Sequence, residues 1–528
     1  MIVIYQVLPR LYGNTVCVNL PYGSIRQNGC GKMNDFTTVE LRRIRDLGFT
    51  HVWYTGLLAH ATCTDYSAWG IPTCHHATVK GRAGSPYAVR DYYDIDPDLA
   101  TNVGERLTEF RQLVERTHEA GLKFVMDFVP NHLAREYKSV MRPADVEDFT
   151  DRNFYVLPGT TLGGEINWGG YVEAPARATG NDCFTPSPTR NDWYETVKLN
   201  YTEHDTWEKM LRILLYWASQ GIDAFRCDMA EMVTVDFWHW VTAEVRKQYP
   251  HVSFIAEVYN PQQYRNYLYH GGFDYLYDKV GLYDTLRGIV CGSRSATDIT
   301  HCWLQHEDIS DHLLHFMENH DEQRIASSWF AGDAHKAIPA MIVSACMSAS
   351  PLMVYAGQEL GESGMDEEGF SGRDGRTSIF DYWSVDTLRR RLQGELTEAE
   401  GGLQSFYRRL LRLCNESSAL REGGFYDLQY ANLGGSLFNE HRQYVFLRKS
   451  HSQLLLIVVN FDGGDARCGV CVPHHAFDHL HLKACRQAQA CDLLSGRSSL
   501  LDFVPDTPIL LDVPAYGGTI MEIMNYEF

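Results

Sequence analysis

Short apolar runs and amphipathic stretches alternate along the chain up to about residue 385. The runs are Tyr5 to Leu8, His51 to Tyr54, Lys123 to Val129, Ile222 to Asp228, Phe254 to Glu257, Phe273 to Tyr277, Phe316 to Asp321 and Pro351 to Ala356. Each has the length and composition of a strand buried on both faces. Between them, Thr38 to Asp46 reads as a helix. Asn102-Val-Gly-Glu105 resembles a capping box and precedes Leu107, Phe110, Leu113 and Val114 at helical spacing. A second start signal, Asp205-Thr-Trp-Glu208, opens the stripe Trp207, Met210, Leu211, Leu214, Leu215 and Ala218, which predicts a helix facing the strands. Strand and helix alternating at this length predict an α/β fold, a (β/α)8 TIM barrel.

Two stretches break the alternation. The segment from His132 to Asp205 is too long for a structureless loop and predicts an insertion domain after strand three, with Gly163-Gly-Glu-Ile-Asn-Trp168-Gly-Gly beside the barrel mouth. After about residue 425, Gln443 to Arg448, Leu454 to Phe461, Ile509 to Val513 and Gly518 to Ile523 are β-like runs separated by turn residues, which predicts a C-terminal antiparallel β-sandwich. The expected domains are therefore 1–132 and 205–424 for the barrel, 133–204 for the insertion and 425–528 for the sandwich.

Composition narrows the function. The formal charge of −20 disfavours a nucleic-acid groove or an anionic membrane surface, whereas a neutral ligand loses nothing by it. No uncharged run of ~18 residues predicts a membrane span. Met1 to Arg10 leads straight into the first strand with no basic n-region or cleavage site, so a cytoplasmic location with reduced thiols is expected for the 14 cysteines. Cys63 and Cys74 share a loop and could form a bridge. Cys468-Gly-Val-Cys471, with His474, His475, His479 and His481, has a zinc-like pair, but it lies in a strand-like segment and no second pair follows.

The chemistry sits where the runs end. Asp228, Glu257 and Asp321 close three of the runs, and acids at the carboxyl ends of barrel strands converge on one mouth. Glycoside cleavage with retention needs two such carboxyls about 5–5.5 Å apart, one ionised and one protonated. Arg226 stands two residues before Asp228, on the same face of a strand, where its charge would hold Asp228 as an anion. Glu257 follows the apolar Phe-Ile-Ala, an approach that permits a protonated acid. Taken singly, an Arg–Asp pair inside a barrel can be purely structural.

Together, Phe-Val-Met-Asp127-Phe-Val-Pro-Asn131-His132, Phe-Arg226-Cys-Asp228, Phe-Ile-Ala-Glu257 and Phe-Met-Glu-Asn-His320-Asp321 resemble, in order, the signature segments of the α-amylase family of glycoside hydrolases, family 13. The likeness extends over the whole chain. It implies Asp228 as nucleophile, Glu257 as acid and then base, and Asp321 as binder of the sugar 2- and 3-hydroxyls. It implies His132 and His320 on hydroxyls, Arg226 orienting Asp228, and Asp127 supporting Arg226. Tyr87, in Gly84-Ser-Pro-Tyr87, resembles a tyrosine that stacks on the cleaved sugar, and Arg324 matches an arginine near the same subsite. The chemistry requires no cofactor. Asn131 resembles a side-chain ligand of a structural calcium, with Met232 offering a carbonyl and Asp182 or Asp192 as the insertion's carboxylates.

The chain also departs from the pattern. Glu231 replaces a lysine of a leaving-side subsite, and Val197-Lys-Leu-Asn200 lacks the aspartate of a fifth segment, which weakens the calcium reading. Gly372-Arg-Asp-Gly-Arg376-Thr resembles a loop of oligosaccharide-cleaving relatives and reads equally well as a polar turn. The resemblance implies hydrolysis of α-1,4-linked starch-like glucans or maltooligosaccharides. A glucanotransferase or transglycosylase, an oligosaccharide-specific α-glucosidase, and a non-catalytic partner protein are the alternatives.

Overall fold

Eight segments form the parallel strands β1 Val3–Val7, β2 His51–Tyr54, β3 Lys123–Phe128, β4 Ala224–Cys227, β5 Ser253–Ala256, β6 Tyr275–Tyr277, β7 Leu313–Phe316 and β8 Leu352–Tyr355. They close into a barrel in chain order, with β1 pairing both β8 and β2. The structure is a computed structural model, and it describes residues 1–163 and 169–524. The central part of the glycine-rich stretch expected beside the mouth, 164–168, lies outside the described residues.

Alternation along each strand explains why the runs look continuously apolar. One set of side chains, including Ile4, Trp53, Val125, Ala224, Ile255, Tyr277, Phe316 and Met353, fills the barrel interior. The alternate set, including Tyr5, Val52, Phe124, Phe225 and Phe254, packs outward beneath the helices. Burial of both faces is what distinguishes parallel barrel strands from half-exposed ones.

The expected elements are present, with local shifts. The helix Thr38–Asp46 forms with its predicted bounds, capped by Thr37. The helix after the insertion is His204–Ser219, so Asp205 lies inside it and pairs with Lys209 at 2.5 Å rather than capping it. Its buried stripe runs through Met210, Ile213, Leu214, Trp217 and Ala218; Leu211 and Leu215 are only half-buried, because the outward bend of the stripe follows 3.6 residues per turn. Asn102 caps a short 3-10 turn, and Glu109 rather than Glu105 accepts the amides of Thr101 and Asn102. β7 ends at Phe316. Met317 to Asp321 is loop, bent where Asn319 Oδ1 accepts the amides of Asp321 and Glu322.

The insertion leaves and returns side by side. His132–Ala134 pairs antiparallel with Thr196–Lys198, and smaller hairpins lie between them. Arg135, fully buried, locks this base through Glu173 at 2.7 Å and the carbonyls of Tyr194 and Thr196. His132 is thereby fixed at the barrel rim.

The C-terminal part holds β9 Gly424–Asp427, β10 Gln443–Lys449, β11 Leu454–Asn460, β12 Ala466–Val470, β13 Cys485–Asp492, β14 Ser498–Phe503, β15 Ile509–Val513 and β16 Gly517–Ile523. Six form an antiparallel sheet, β9-β10-β11-β16-β13-β14, faced by the pair β12-β15. Every residue of β11 is buried: Leu456 and Val458 face β12 and β15, while Leu455, Ile457 and Val459 join the barrel's core. The buried Arg448 fastens this sheet to the barrel side through the carbonyls of Met347, Ala419 and Leu420.

Cys468 lies buried in β12 opposite Leu511, His475 bonds Tyr430, and His474 pairs with Asp478. Among the described residues no group of three or more histidine, cysteine or acidic side chains could hold a metal, so the zinc reading fails: strand pairing buries one thiol and disperses the histidines. Cys63 and Cys74 are free thiols. No helix among the described residues is long and apolar enough to cross a membrane.

Candidate active site

Two residues beyond the apolar interior layer, on the same inward face, the side chains turn polar. Ile4 is followed by Gln6, Val125 by Asp127, Ala224 by Arg226 and then Asp228, and Ile255 by Glu257. All five are at most 6% exposed, so the carboxyl ends of the strands enclose a buried polar cluster.

Arg226 is its hub. Asp127 stands beside it in register on β3. Its Nη1 donates to Asp228 Oδ1 at 2.7 Å and lies 3.6 Å from Asp127 Oδ1; its Nη2 is 2.9 Å from Glu257 Oε2; its Nε donates to Tyr277 Oη at 3.1 Å. Trp53, Tyr87 and Tyr277 surround the guanidinium with ring centroids at 5.1, 5.4 and 5.5 Å. Met229, just past Asp228, adopts a left-handed φ of 42°, and its amide donates to Glu257 Oε2 at 2.7 Å. Tyr259 Oη donates to the other oxygen, Oε1, at 2.6 Å. Among the described residues Asp228 Oδ2 has no hydrogen-bond partner; His132 Nε2 lies 3.9 Å from it.

On the opposite wall, His320 is held by Gln6 at 2.7 Å and by Tyr87 Oη at 2.7 Å, with the Tyr87 ring stacked on it. Asp321 Oδ2 is 3.1 Å from His320 Nε2, and its side chain is 45% exposed, the most open of the three acids. The structure thus gathers Asp228, Glu257, Asp321, Tyr87, His132, His320, Arg226 and Asp127 around one mouth.

Burial dominates the electrostatics. It pushes His132 and His320 down to about 3, helped by the charges of Lys80 and Arg226 respectively, so both rings are neutral near neutral pH. Asp127 is pushed up to about 6 by burial against the pull of Arg226. Asp228 also lies well above the ordinary carboxylate range, although the expected ion pair with Arg226 is present. Burial, reinforced by the charges of Glu257 and Asp127, outweighs the single guanidinium. Three carboxyls around one cation favour retention of a proton within the cluster.

Arg324 is differently placed. It is 1% exposed and spends its donors on Glu318, Thr377 and the Ala356 carbonyl while stacking over Tyr355 at 4.0 Å. It braces the loops after β7 and β8.

The calcium donor set does not fit its expected role. Asn131 keeps a buried Oδ1 with no partner among the described residues, but its Nδ2 donates to the Gly180 carbonyl at 2.9 Å. Asp182 is paired with Lys198 Nζ at 2.6 Å, and Asp192 spends both oxygens on the amides of Trp193 and Ser187. An ammonium already satisfies the carboxylate a divalent ion would need.

Sequence reading missed Gln6, Trp53, Tyr277, Tyr259 and Trp193, whose ring lies 5.3 Å from His132. The first three were legible as inward positions of strands, since each shares parity with the interior layer. Tyr259 and Trp193 lie in loops, where no periodicity marks a direction.

The comparisons agree with this architecture. A family model described as alpha amylase, catalytic domain, matches residues 22–416. Alpha-amylase 3 of Dictyoglomus thermophilum is 24% identical over 364 residues, covering 64% of this chain and 68% of that one. Neopullulanase 2 of Thermoactinomyces vulgaris is 22% identical over 493 residues, covering 88% and 72%. A maltogenic alpha-amylase from Thermotoga neapolitana superposes with a TM-score of 0.66 at 21% identity over 99% of both chains.

Proposed function

We propose a reaction from one premise: this chain belongs to the alpha-amylase family of glycoside hydrolases. It cleaves α-1,4-glucosidic bonds of maltooligosaccharides and starch-like glucans, by double displacement. Asp228 Oδ2 attacks the anomeric carbon while Glu257 protonates the departing glycosidic oxygen, leaving a glycosyl ester on Asp228. Glu257, now a base, deprotonates the water that cleaves the ester. Asp321 holds hydroxyls of the cleaved sugar through hydrogen bonds that strengthen as oxocarbenium character develops. Tyr87 supplies a stacking face, His132 and His320 bind hydroxyls, Arg226 fixes Asp228, and Asp127 braces Arg226.

One observation carries this reading: Asp228 and Glu257 share the two terminal nitrogens of the same buried guanidinium. Both carboxyls therefore face one cavity around a single cation, the arrangement that double displacement with retention requires of its two acids. The relatives named neopullulanase and cyclomaltodextrinase support a glucan substrate.

A second observation favours short glucans. Arg190 of the insertion pairs with Asp374 of the loop after β8. Arg190 lies three residues before Trp193, which packs on His132 after β3; the Gly375 carbonyl accepts the amide of Arg324 after β7 at 2.6 Å. β3 and β7 stand on opposite sides of the eight-stranded barrel, so the pair ties the mouth across. A tied mouth suits a chain end better than the middle of a polymer.

The test is product analysis by NMR and chromatography on maltotriose, maltoheptaose, starch and pullulan. Release of the α-anomer first, from maltooligosaccharides, is expected. A β-anomeric product would end the reading, and early longer oligosaccharides would assign transfer instead.

A further inference from the structure

Tyr259 and Glu231 have no part in the reaction above, yet they form a chain of hydrogen bonds that ends on Glu257. The Tyr259 amide donates to Glu231 Oε2 at 2.8 Å and the Asn260 amide to the same oxygen at 3.2 Å. The Glu231 carbonyl in turn accepts Tyr267 Oη at 3.1 Å. Glu231, in the short turn after β4, therefore grips the start of the loop after β5. Through that grip the Tyr259 hydroxyl is presented to Glu257 Oε1 at 2.6 Å.

The two oxygens of Glu257 are not equivalent. Oε2 accepts the Met229 amide and faces the Arg226 guanidinium, two groups that can only donate. A proton on Oε2 would confront both donors. Among the described residues Oε1 bonds a phenol, which can reverse its role.

We propose that Oε1 is the oxygen that carries and delivers the catalytic proton, and that Tyr259, held by Glu231, is its positioning residue. The inference rests on Glu257 being the proton donor. While the acid waits, Tyr259 Oη accepts the Oε1 hydrogen. When the O–H bond of Glu257 breaks and the proton passes to the departing glycosidic oxygen, Tyr259 turns and donates to the carboxylate left behind. It repeats the cycle in reverse when Glu257 takes a proton from water. Tyr259 gains and loses no proton; burial, with the charge of Glu257, keeps its phenol well above the usual range. Glu231 thus ties two loops together behind the acid, which leaves this carboxyl oxygen unable to bind a leaving-side sugar.

The experiment is the pH profile of kcat/KM for Tyr259→Phe, Glu231→Leu and Glu231→Gln. It uses maltoheptaose and an aryl maltoside with a para-nitrophenyl leaving group, and thermal melting confirms folding. Tyr259→Phe should lower kcat on maltoheptaose by about 10-fold with little change in KM, the scale of one charge-assisted hydrogen bond. Its alkaline limb should move up by about half a pH unit, because the phenol stabilises the carboxylate more than the acid. The loss should shrink on the aryl maltoside, which needs little proton donation. Glu231→Leu should reproduce this pattern. Glu231→Gln, which keeps an acceptor for both amides, should behave as the wild type does. An unmoved limb, or an equal loss on both substrates, overturns the proposal. A wild-type protein inactive on every α-glucoside would instead overturn the hydrolase reading beneath it.

Discussion

The backbone amide of Met229 donates to Glu257 Oε2 at 2.7 Å, so the residue following one acid of the pair holds the other. Met229 itself takes a left-handed φ, a conformation an L-residue adopts at a cost of about 1–2 kcal/mol. The hydrogen bond links the end of β4 to the end of β5 at the point where the two carboxyls must act together.

The yoked pair predicts the effect of removing either acid. Asp228→Asn keeps the side chain's shape and should lower kcat by about four orders of magnitude or more, as loss of a nucleophile does. Near-normal turnover on maltoheptaose would reassign the nucleophile.

Glu257→Gln should cost about 10²–10⁴-fold on maltooligosaccharides, and distinctly less on an aryl maltoside whose leaving group needs no proton. Measuring both substrates separates loss of the acid from loss of folding.

The raised carboxyl of Asp228 places the acidic limb of the rate profile above about pH 4, the ordinary range, since the anion is lost as pH falls through that raised value. His132 and His320, neutral down to about 3, should add no limb near pH 6.5.

For stability the same groups act in opposite senses. The unfolded histidines take protons near about pH 6.5 and the folded ones only near 3, so their contribution is complete above about 6.5 and lost as pH falls toward 3. Asp127, raised to about 6, contributes fully below about 3.9 and loses that contribution as pH rises through 6. Asp127→Asn removes a contribution that falls between about pH 4 and 6, so its melting temperature should climb more steeply with pH over that range than the wild type's, read by calorimetry across pH.

Lys198 already neutralises Asp182 at 2.6 Å, so a chelator should leave the melting temperature unchanged. A fall of several degrees on chelation, reversed by calcium, would show that a metal is bound there after all.

The ion pair across the mouth predicts a change of preference rather than of chemistry. Asp374→Ala should raise activity on starch relative to maltotriose by about 3- to 10-fold, on the scale of a partly exposed pair of about 1 kcal/mol, with the acid limb unmoved. An unchanged substrate ratio would remove the clasp's role.

What the sequence by itself determined is everything governed by local periodicity. Short apolar runs located the barrel strands, and period two put Arg226 and Asp228 on one face, because a strand leaves no choice about where alternate side chains point. Folding decided what periodicity cannot encode. Asp321 lies five residues beyond its strand, in a loop bent by Asn319. Arg324 turned inward to brace two loops. Burial reversed the expected shift of Asp228, since a carboxyl's charge depends on how many neighbours share its cation and how little water reaches it. The contact of Arg190 with Asp374 joins residues 184 apart through tertiary geometry, which no local pattern records, and Tyr259 meets Glu257 in a loop that the distant Glu231 holds.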